Sequence, residues 1–512
     1  MSPWILLLIV VVYFSALILI SYITSRGADN ATFFIGNRKS PWFLVAYGMI
    51  GATISGVTYI SIPGEVGNSN FSYLQLVFGY FVGYMVIANV LLPLYYRMNL
   101  TSIYGYLENR FGWHSYKTGA FYFLLSRVIG ASFRLYIVAM VVDTFILSRF
   151  GVPFWLTVII TIALVYVYSF KGGIRTIVYT DTFLTTFLLL GVIFSIVLIS
   201  KELDFSASDL INSIHESRYS KLFVWDWRPG NNFFKHFLSG IFICITMTGL
   251  DQDMMQKNLS CRNIKEAKKN MYWMSSLLIV VNALFLTLGA LLYIYSNSKG
   301  IIIENFANPD LVKSCPIKLL DPASGMLSCA KTDELFPFLV FNYLPPIVSI
   351  VFFVGLIAAA YASADSALTA LTTSFCVDFL GFREDNQRMG TRNLVHVGFS
   401  VLLILFILFY SAVNNQSVIN SLFTIAGYTY GPLLGLFSFG IFTRYRTNEK
   451  WVLIITILAI GMSYIISLYS GDLFNGYKVG FEIVVLNGLL VFGGLYLTRK
   501  KSKFIFDKSA QF

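Results

Sequence analysis

Thirteen long apolar runs limit what this chain can fold into more than any motif does. They lie at roughly 3–24, 41–62, 73–96, 119–148, 153–170, 177–200, 234–254, 272–297, 340–377, 391–413, 418–443, 450–470 and 478–499. About 20 apolar residues in a helix match the hydrocarbon thickness of a bilayer. Backbone groups inside lipid must pair within their own segment, so helices are the expected spanning form. Barrel strands are shorter and alternate apolar with polar residues, which these runs do not. Composition agrees: 56% of the 512 residues are hydrophobic and 12% are charged, about half the charge of a soluble domain. A mean hydropathy of +0.70 argues against soluble and disordered classes. The first run lacks a preceding basic stretch and a small-residue cleavage site, so it reads as a retained span. The expected fold class is an all-α polytopic membrane protein with 13 transmembrane helices.

An odd number of spans puts the termini on opposite sides, and basic residues choose which. With the N-terminus outside, 24 of the 37 Lys and Arg fall in inner loops and the inner tail, among them Arg110, Lys257 and Arg392. The short outer loops hold only Arg149 and Lys478, and the long outer loops 201–233 and 298–339 hold four each. The expectation is an outer N-terminus and an inner C-terminus. The net charge of +11 then reads as an orientation signal rather than a nucleic-acid footprint. The expected partners are a small-molecule solute and the lipid bilayer, with no nucleic acid and a monomer as the working unit. The expected setting is the plasma membrane, or the inner membrane of a bacterial cell. Cys315 and Cys329 share an outer loop facing an oxidising compartment, and a disulfide between them is expected. Cys244, Cys261 and Cys376 are too far apart in sequence to suggest a metal cluster.

Transporters expose backbone groups at mid-depth by interrupting helices. GATISGVT (51–58), the stretch ending in GLDQD (249–253) and AGYTYGP (426–432) are three candidate interruptions. Close helix packing is the competing reading for such small residues. Segments 41–200 and 234–443 each hold five runs, and five is odd, so the second block would be inverted relative to the first. The division expected is 1–40 as an extra helix and loop, the two repeats, and 444–512 as two further helices and a tail. The stretch 101–112 reads as a short amphipathic interfacial helix.

A few polar residues stand out within the apolar bulk. Asp365 lies in a span with Ser363 and Ser366, three apart on one helical face. An acid in a span is costly unless it faces a cavity or an ion, and hard cations prefer oxygen ligands. Asp181 reads either as a helix N-terminal residue favoured by the dipole or as part of the same cavity. Arg127 and Arg134 sit in one span; each needs a neighbouring carboxylate or an anionic solute. Lys235 and His236 lie at a span edge, where snorkelling suffices. The sequence shows no P-loop, zinc spacing or hydrolase pattern, so no catalytic residues and no enzyme are expected.

YSFKGGIRTIVYTD (168–181), GLDQDMMQKNLSCRNIKEAKKN (249–270), AAAYASADSALTALTTSFCVDF (358–379) and AGYTYGPLLGLF (426–437) resemble, in order, the motifs of the solute:sodium symporter family. The resemblance implies a LeuT-like core of two inverted five-helix repeats and sodium-coupled import by alternating access. It implies sodium, co-transported, held by Gly51 and Ile54 on one side and by Ala359, Ala362 and Ser363 on the other. Many members carry a hydroxyl where this chain has Ala362. A second sodium site of some relatives matches Asp181, Asp365 and Ser366, and a glutamine common in the family is Leu184 here. The solute, expected to be a sugar, a sugar acid such as sialic acid or an amino acid, would be lined by Thr53, Ser55, Thr58, Gln75, Thr248 and Tyr428. Arg134 tilts that choice toward an anionic or zwitterionic solute. The alternatives are a proton-coupled symporter of the same fold and a passive sodium-permeable channel.

Overall fold

The computed structural model describes residues 3–170, 173–227, 229–305, 315–322, 324–382, 389–413, 418–474, 477 and 479–503. Its helices, in chain order, begin with α1 (Pro3–Thr24), α2 (Asn30–Ile35), α3 (Trp42–Thr53), α4 (Gly56–Ser69), α5 (Tyr73–Val86), α6 (Leu92–Arg97) and α7 (Gly105–Arg110). The middle of the chain forms α8 (Trp113–Phe145), α9 (Phe154–Ser169), α10 (Gly173–Glu202), α11 (Ala207–Glu216), α12 (Phe233–Cys244), α13 (Gln252–Leu259) and α14 (Ile264–Ser298). The remainder forms α15 (Leu335–Asn342), α16 (Pro346–Ser374), α17 (Met389–Val413), α18 (Val418–Phe442), α19 (Val452–Leu468), α20 (Ser470–Leu473) and α21 (Ile483–Leu497). Among the described residues nine helices are long and apolar enough to cross a membrane, or ten if the bent pair Phe233–Gly249 and Gln252–Leu259 is one span. Trp42–Thr53, Phe154–Ser169 and Ile483–Leu497 are shorter apolar helices.

Two of the expected interruptions are present. Ile54 (φ −87°, ψ 89°) ends α3 and extended Ser55 (φ −79°, ψ 173°) starts α4. The second follows a π-helical turn, Ile245–Gly249, where Asp251 adopts an extended conformation and the chain bends by 65°. Asp251 caps α13 by accepting from the amides of Asp253 and Met254. The carbonyls freed at this bend are taken by tyrosines: Tyr95 donates to Gly249 and Tyr104 to Leu250, at 2.8 and 2.9 Å.

The third expected interruption is absent, because α18 runs unbroken through Pro432. Proline cannot donate to the carbonyl four residues earlier, that of Tyr428. Asn487 of α21 supplies the missing donor, its Nδ2 lying 2.9 Å from the Tyr428 carbonyl and 3.4 Å from that of Gly427. The run 340–377 also divides: α15 stops before Pro345 and Pro346, and α16 begins there. Segment 101–112 is not a helix lying on a membrane surface. Tyr106, Leu107 and Arg110 of α7 are buried, and Arg110 donates to the carbonyls of Gly440 and Thr443.

The loop 298–339 holds β1 (Ile302–Glu304), β2 (Ile317–Leu320) and β3 (Leu327–Ala330), a small antiparallel sheet in the order β1-β2-β3. Cys315 and Cys329 are joined in a disulfide across it. A second ladder pairs β4 (Tyr445–Arg446) with β5 (Lys500–Lys503). Gly172 of the YSFKGGIRTIVYTD stretch and the tail beyond 503 lie outside the described residues.

Candidate functional site

The α3–α4 interruption opens onto a cavity of about 90 Å³. Thr53, Ile54, Ser55 and Thr58 line it from the interruption, Tyr73, Tyr80 and Tyr84 from α5, and Cys244, Met247 and Thr248 from the start of the second bend. Arg134 of α8 and Asn282 of α14 complete its polar lining. The N-terminal end of α4 faces this space, and a helix N-terminus carries partial positive charge. Arg134 is buried, 8% exposed, and its Nε and Nη1 have no hydrogen-bond partner among the described residues. It also borders a smaller void, shared with Arg127, Met247 and Tyr430. The two arginines that were equivalent in sequence therefore differ. Arg127 is ion-paired with Asp253 and lies 3.7 Å from Asp251. Tyr430 donates to Asp251 at 2.5 Å.

Two residues expected at the solute site do not line this cavity. Gln75 is fully buried and committed to the chain: it donates to the carbonyls of Ser72 and Asn231 and accepts from the amide of Val224. That pins the loop 221–232 to α5. Tyr428 turns away from the cavity, its ring 6.2 Å from that of Tyr464. Its neighbour Tyr430 reaches the arginines instead, because two residues along a helix turn a side chain by more than half a turn. Thr53, Ser55, Thr58, Thr248 and Arg134 are all at the cavity.

The residues expected to hold sodium are all buried. Gly51 and Ile54 lie at the end of α3, and Ala359, Ala362 and Ser363 lie on α16, which packs against α3, α4 and α10. Gly51 lets α10 approach closely: a Cβ there would sit 2.1 Å from Thr185 Oγ1. The Ala362 carbonyl accepts from Ser366 Oγ at 3.2 Å, and the same hydroxyl lies 3.3 Å from Asp253. Asp365 is fully buried; it accepts from the Ser366 amide and from Thr180 Oγ1 at 3.4 Å. Asp181 is not at a helix start but nine positions into the chain of α10, so the helix dipole does not explain it. It pairs with Lys257 Nζ at 2.7 Å. Lys257 had been counted as an inner-loop charge; it is 1% exposed. Arg110 and Arg392, also counted there, are 2% and 3% exposed and serve the interior.

The Gln-x-x-x-Gln pair is structural. Gln252 bonds the backbone of Thr101 and Ile103, and Gln256 donates to Phe34 and Thr373. Sequence reasoning missed the tyrosines of α5 and Asn282. Tyr73, Tyr80 and Tyr84, spaced seven and four apart, share a helix face, and Asn282 is an amide near the middle of an apolar run; both are visible signals. Asp251 and Asp253 lie inside the GLDQD stretch, which reads in sequence as a helix break rather than a charge site, and Lys257 lies past the run's end at 254, where it reads as an inner-loop charge.

The sodium:solute symporter family model matches residues 33–459. The chain is 23% identical to the sodium/sialic acid symporter NanT of Aliivibrio fischeri, over 92% of this chain and 89% of that protein. It is 25% identical to the sodium-coupled monocarboxylate transporter 1 of Mus musculus, over 85% of this chain and 68% of that one. Its fold resembles the solved substrate-bound outward-open structure of a Na+-coupled sialic acid symporter, with a TM-score of 0.79, 19% identity and coverage of 97% and 99%. With a fold of broken helices around a buried arginine, and a family match over most of its length, this chain belongs to the sodium:solute symporter family.

Proposed function

We propose that this sodium-coupled symporter imports a small organic solute bearing a carboxylate, held by Arg134 at the α3–α4 interruption. The observation that carries this reading is the buried Arg134 guanidinium, open to the cavity and with two nitrogens unpartnered among the described residues. A buried cation is costly unless it is paired, and a planar guanidinium suits a carboxylate. The positive end of α4 adds to the attraction. Thr58, Thr248 and Asn282 offer hydrogen bonds to the rest of the solute. A sugar acid such as sialic acid or an amino acid fits this chemistry better than a neutral sugar.

Sodium binds between the end of α3 and α16, with Gly51, Ile54, Ala359, Ala362 and Ser363 as its oxygen donors. Residues 41–200 and 234–443 form inverted repeats that rock against each other. Thirteen spans, an outer N-terminus and an inner C-terminus complete the arrangement. Loop contacts support it. Arg38 reaches Leu100, Ser40 bridges to Cys261, and Glu449 accepts from Ser115, all between expected inner segments. Arg218 and Tyr219 meet Glu304, and Lys235 covers Tyr477, all between expected outer segments. The chain works as a monomer in the plasma membrane, or in the inner membrane of a bacterium.

The test is uptake into proteoliposomes of a radiolabelled sialic acid, a short monocarboxylate and an amino acid, each against its methyl ester. Sodium-gradient-driven uptake of an acid, with its ester refused, is expected. Uptake of neutral sugars alone would refute the carboxylate reading. Uptake following a proton gradient without sodium would refute the sodium site, and large non-saturating sodium flux would indicate a channel.

A further inference from the structure

We propose that the Lys257 ammonium is a built-in counter-cation for Asp181, so that this carboxylate takes no sodium and one sodium ion binds per transport cycle. The inference rests on the sodium-coupled reading above and concerns how many ions that coupling uses.

Lys257 Nζ lies 2.7 Å from Asp181 Oδ2, and the two side chains are 2% and 1% exposed. Neither charge is screened by water, so each depends on the other. The pair sits beside the sodium helix. A Cβ added to Gly48 of α3 would come within 2.8 Å of Asp181 Cβ. On its other side, Thr180 donates to Asp365 of α16 at 3.4 Å. Asp181 therefore lies where α3, α10, α13 and α16 converge, a position from which an oxygen could reach a transported cation.

The charges around it are matched one by one. Arg127 of α8 serves Asp253 and Asp251. Lys257 of α13 serves Asp181. Arg134 faces the solute cavity. Among the described residues Asp365 is the acid of this cluster with no basic group within 4.0 Å. A carboxylate serves sodium through bare oxygen lone pairs; at Asp181 the ammonium already supplies a positive charge and takes one oxygen. The other oxygen, Oδ1, is buried and has no hydrogen-bond partner among the described residues. Removal of the ammonium would leave a buried carboxylate with both oxygens open, which a second sodium would fill.

Equilibrium binding of radioactive sodium to the purified full chain tests this directly. Wild type should bind one ion per chain, with a Hill coefficient near one. Lys257→Met should bind two, with a Hill coefficient above one. The double variant Lys257→Met with Asp181→Asn, which removes both charges together, should return to one ion with an affinity within about threefold of wild type. Two ions on wild type would overturn the proposal. So would loss of all sodium binding in the folded double variant, since Asp181 would then be a ligand. One ion on Lys257→Met that still binds sodium would overturn it as well. If Lys257→Met does not fold, the wild-type count and the double variant decide. A wild type that binds no sodium fails the parent reading, whereas one that binds two fails only this one.

Discussion

Arg134 and Arg127 are seven residues apart on one helix, yet only Arg134 lines the α3–α4 cavity. Arg127 is held by two carboxylates of the second bend, while Arg134 is left with nitrogens open toward the cavity. Hydrogen bonds to charged groups contribute about 1.5–3 kcal/mol. Arg134→Gln should therefore raise the KM for a carboxylate solute by about 10- to 100-fold, with Arg134→Lys recovering part of the loss, as read from initial uptake rates. A KM unchanged in Arg134→Gln would remove the residue from the site. Gln75 makes the opposite case, because all its bonds go to backbone. Gln75→Ala should leave the KM for solute within about twofold and lower the melting temperature instead, at about 1–3 kcal/mol for groups left unsatisfied. Ser363→Ala should shift the sodium activation curve to higher concentration by several-fold; an unmoved curve would exclude Ser363 as a ligand. The residue types at these positions were legible. Their partners were not, because a partner on another helix leaves no mark on local sequence: nothing near Arg127 in the chain announces Asp253.

Helix breaks show the same division at the next scale. The small and hydroxyl residues at 51–58 and the GLDQD stretch correspond to real interruptions. AGYTYGP does not, although it contains a proline and two glycines. The difference is a neighbour. Asn487 of α21 lies against Gly431, where a Cβ would come within 2.5 Å of its side chain, and donates to the carbonyl that Pro432 leaves open. Asn487→Ala should destabilise the protein by about 1–3 kcal/mol, and the loss should be smaller in a Pro432→Ala background, where the helix supplies its own donor. A melting-temperature cycle of the two variants measures this coupling; strictly additive losses would show that Asn487 does not serve that carbonyl. The same scale explains the misjudged 101–112 stretch. Its amphipathic pattern is real, but the buried face of α7 meets other helices through Arg110 and Tyr106 rather than lipid.

The molecule as a whole is a packed polar interior inside an apolar bundle. Three residues counted as inner-loop cations, Lys257, Arg110 and Arg392, are interior groups, yet the remaining distribution still favours an inner C-terminus. The loop that carries the three-stranded sheet is cross-linked by the Cys315–Cys329 bond, 14 residues apart. In the chain-entropy account a loop of this size stabilises by about 3 kcal/mol. Replacing both cysteines by serine should lower the melting temperature while leaving sodium-driven uptake within about twofold of wild type, because the sheet lies outside the bundle; loss of uptake in a folded variant would tie the loop to transport.

The amino-acid sequence by itself determined the membrane-spanning class, the approximate limits of the helices, the family and most of the cavity hydroxyls. Those follow from composition and short-range spacing, which act along the chain. Tertiary structure alone decided which arginine lines the cavity, that Gln75 and Tyr428 do not, that α18 stays whole, and that Asp181 already holds an ammonium. Each of these depends on a side chain from a distant helix. Inside a bundle with no water to compensate it, the free energy of a charge or a backbone carbonyl is set by which group is packed against it.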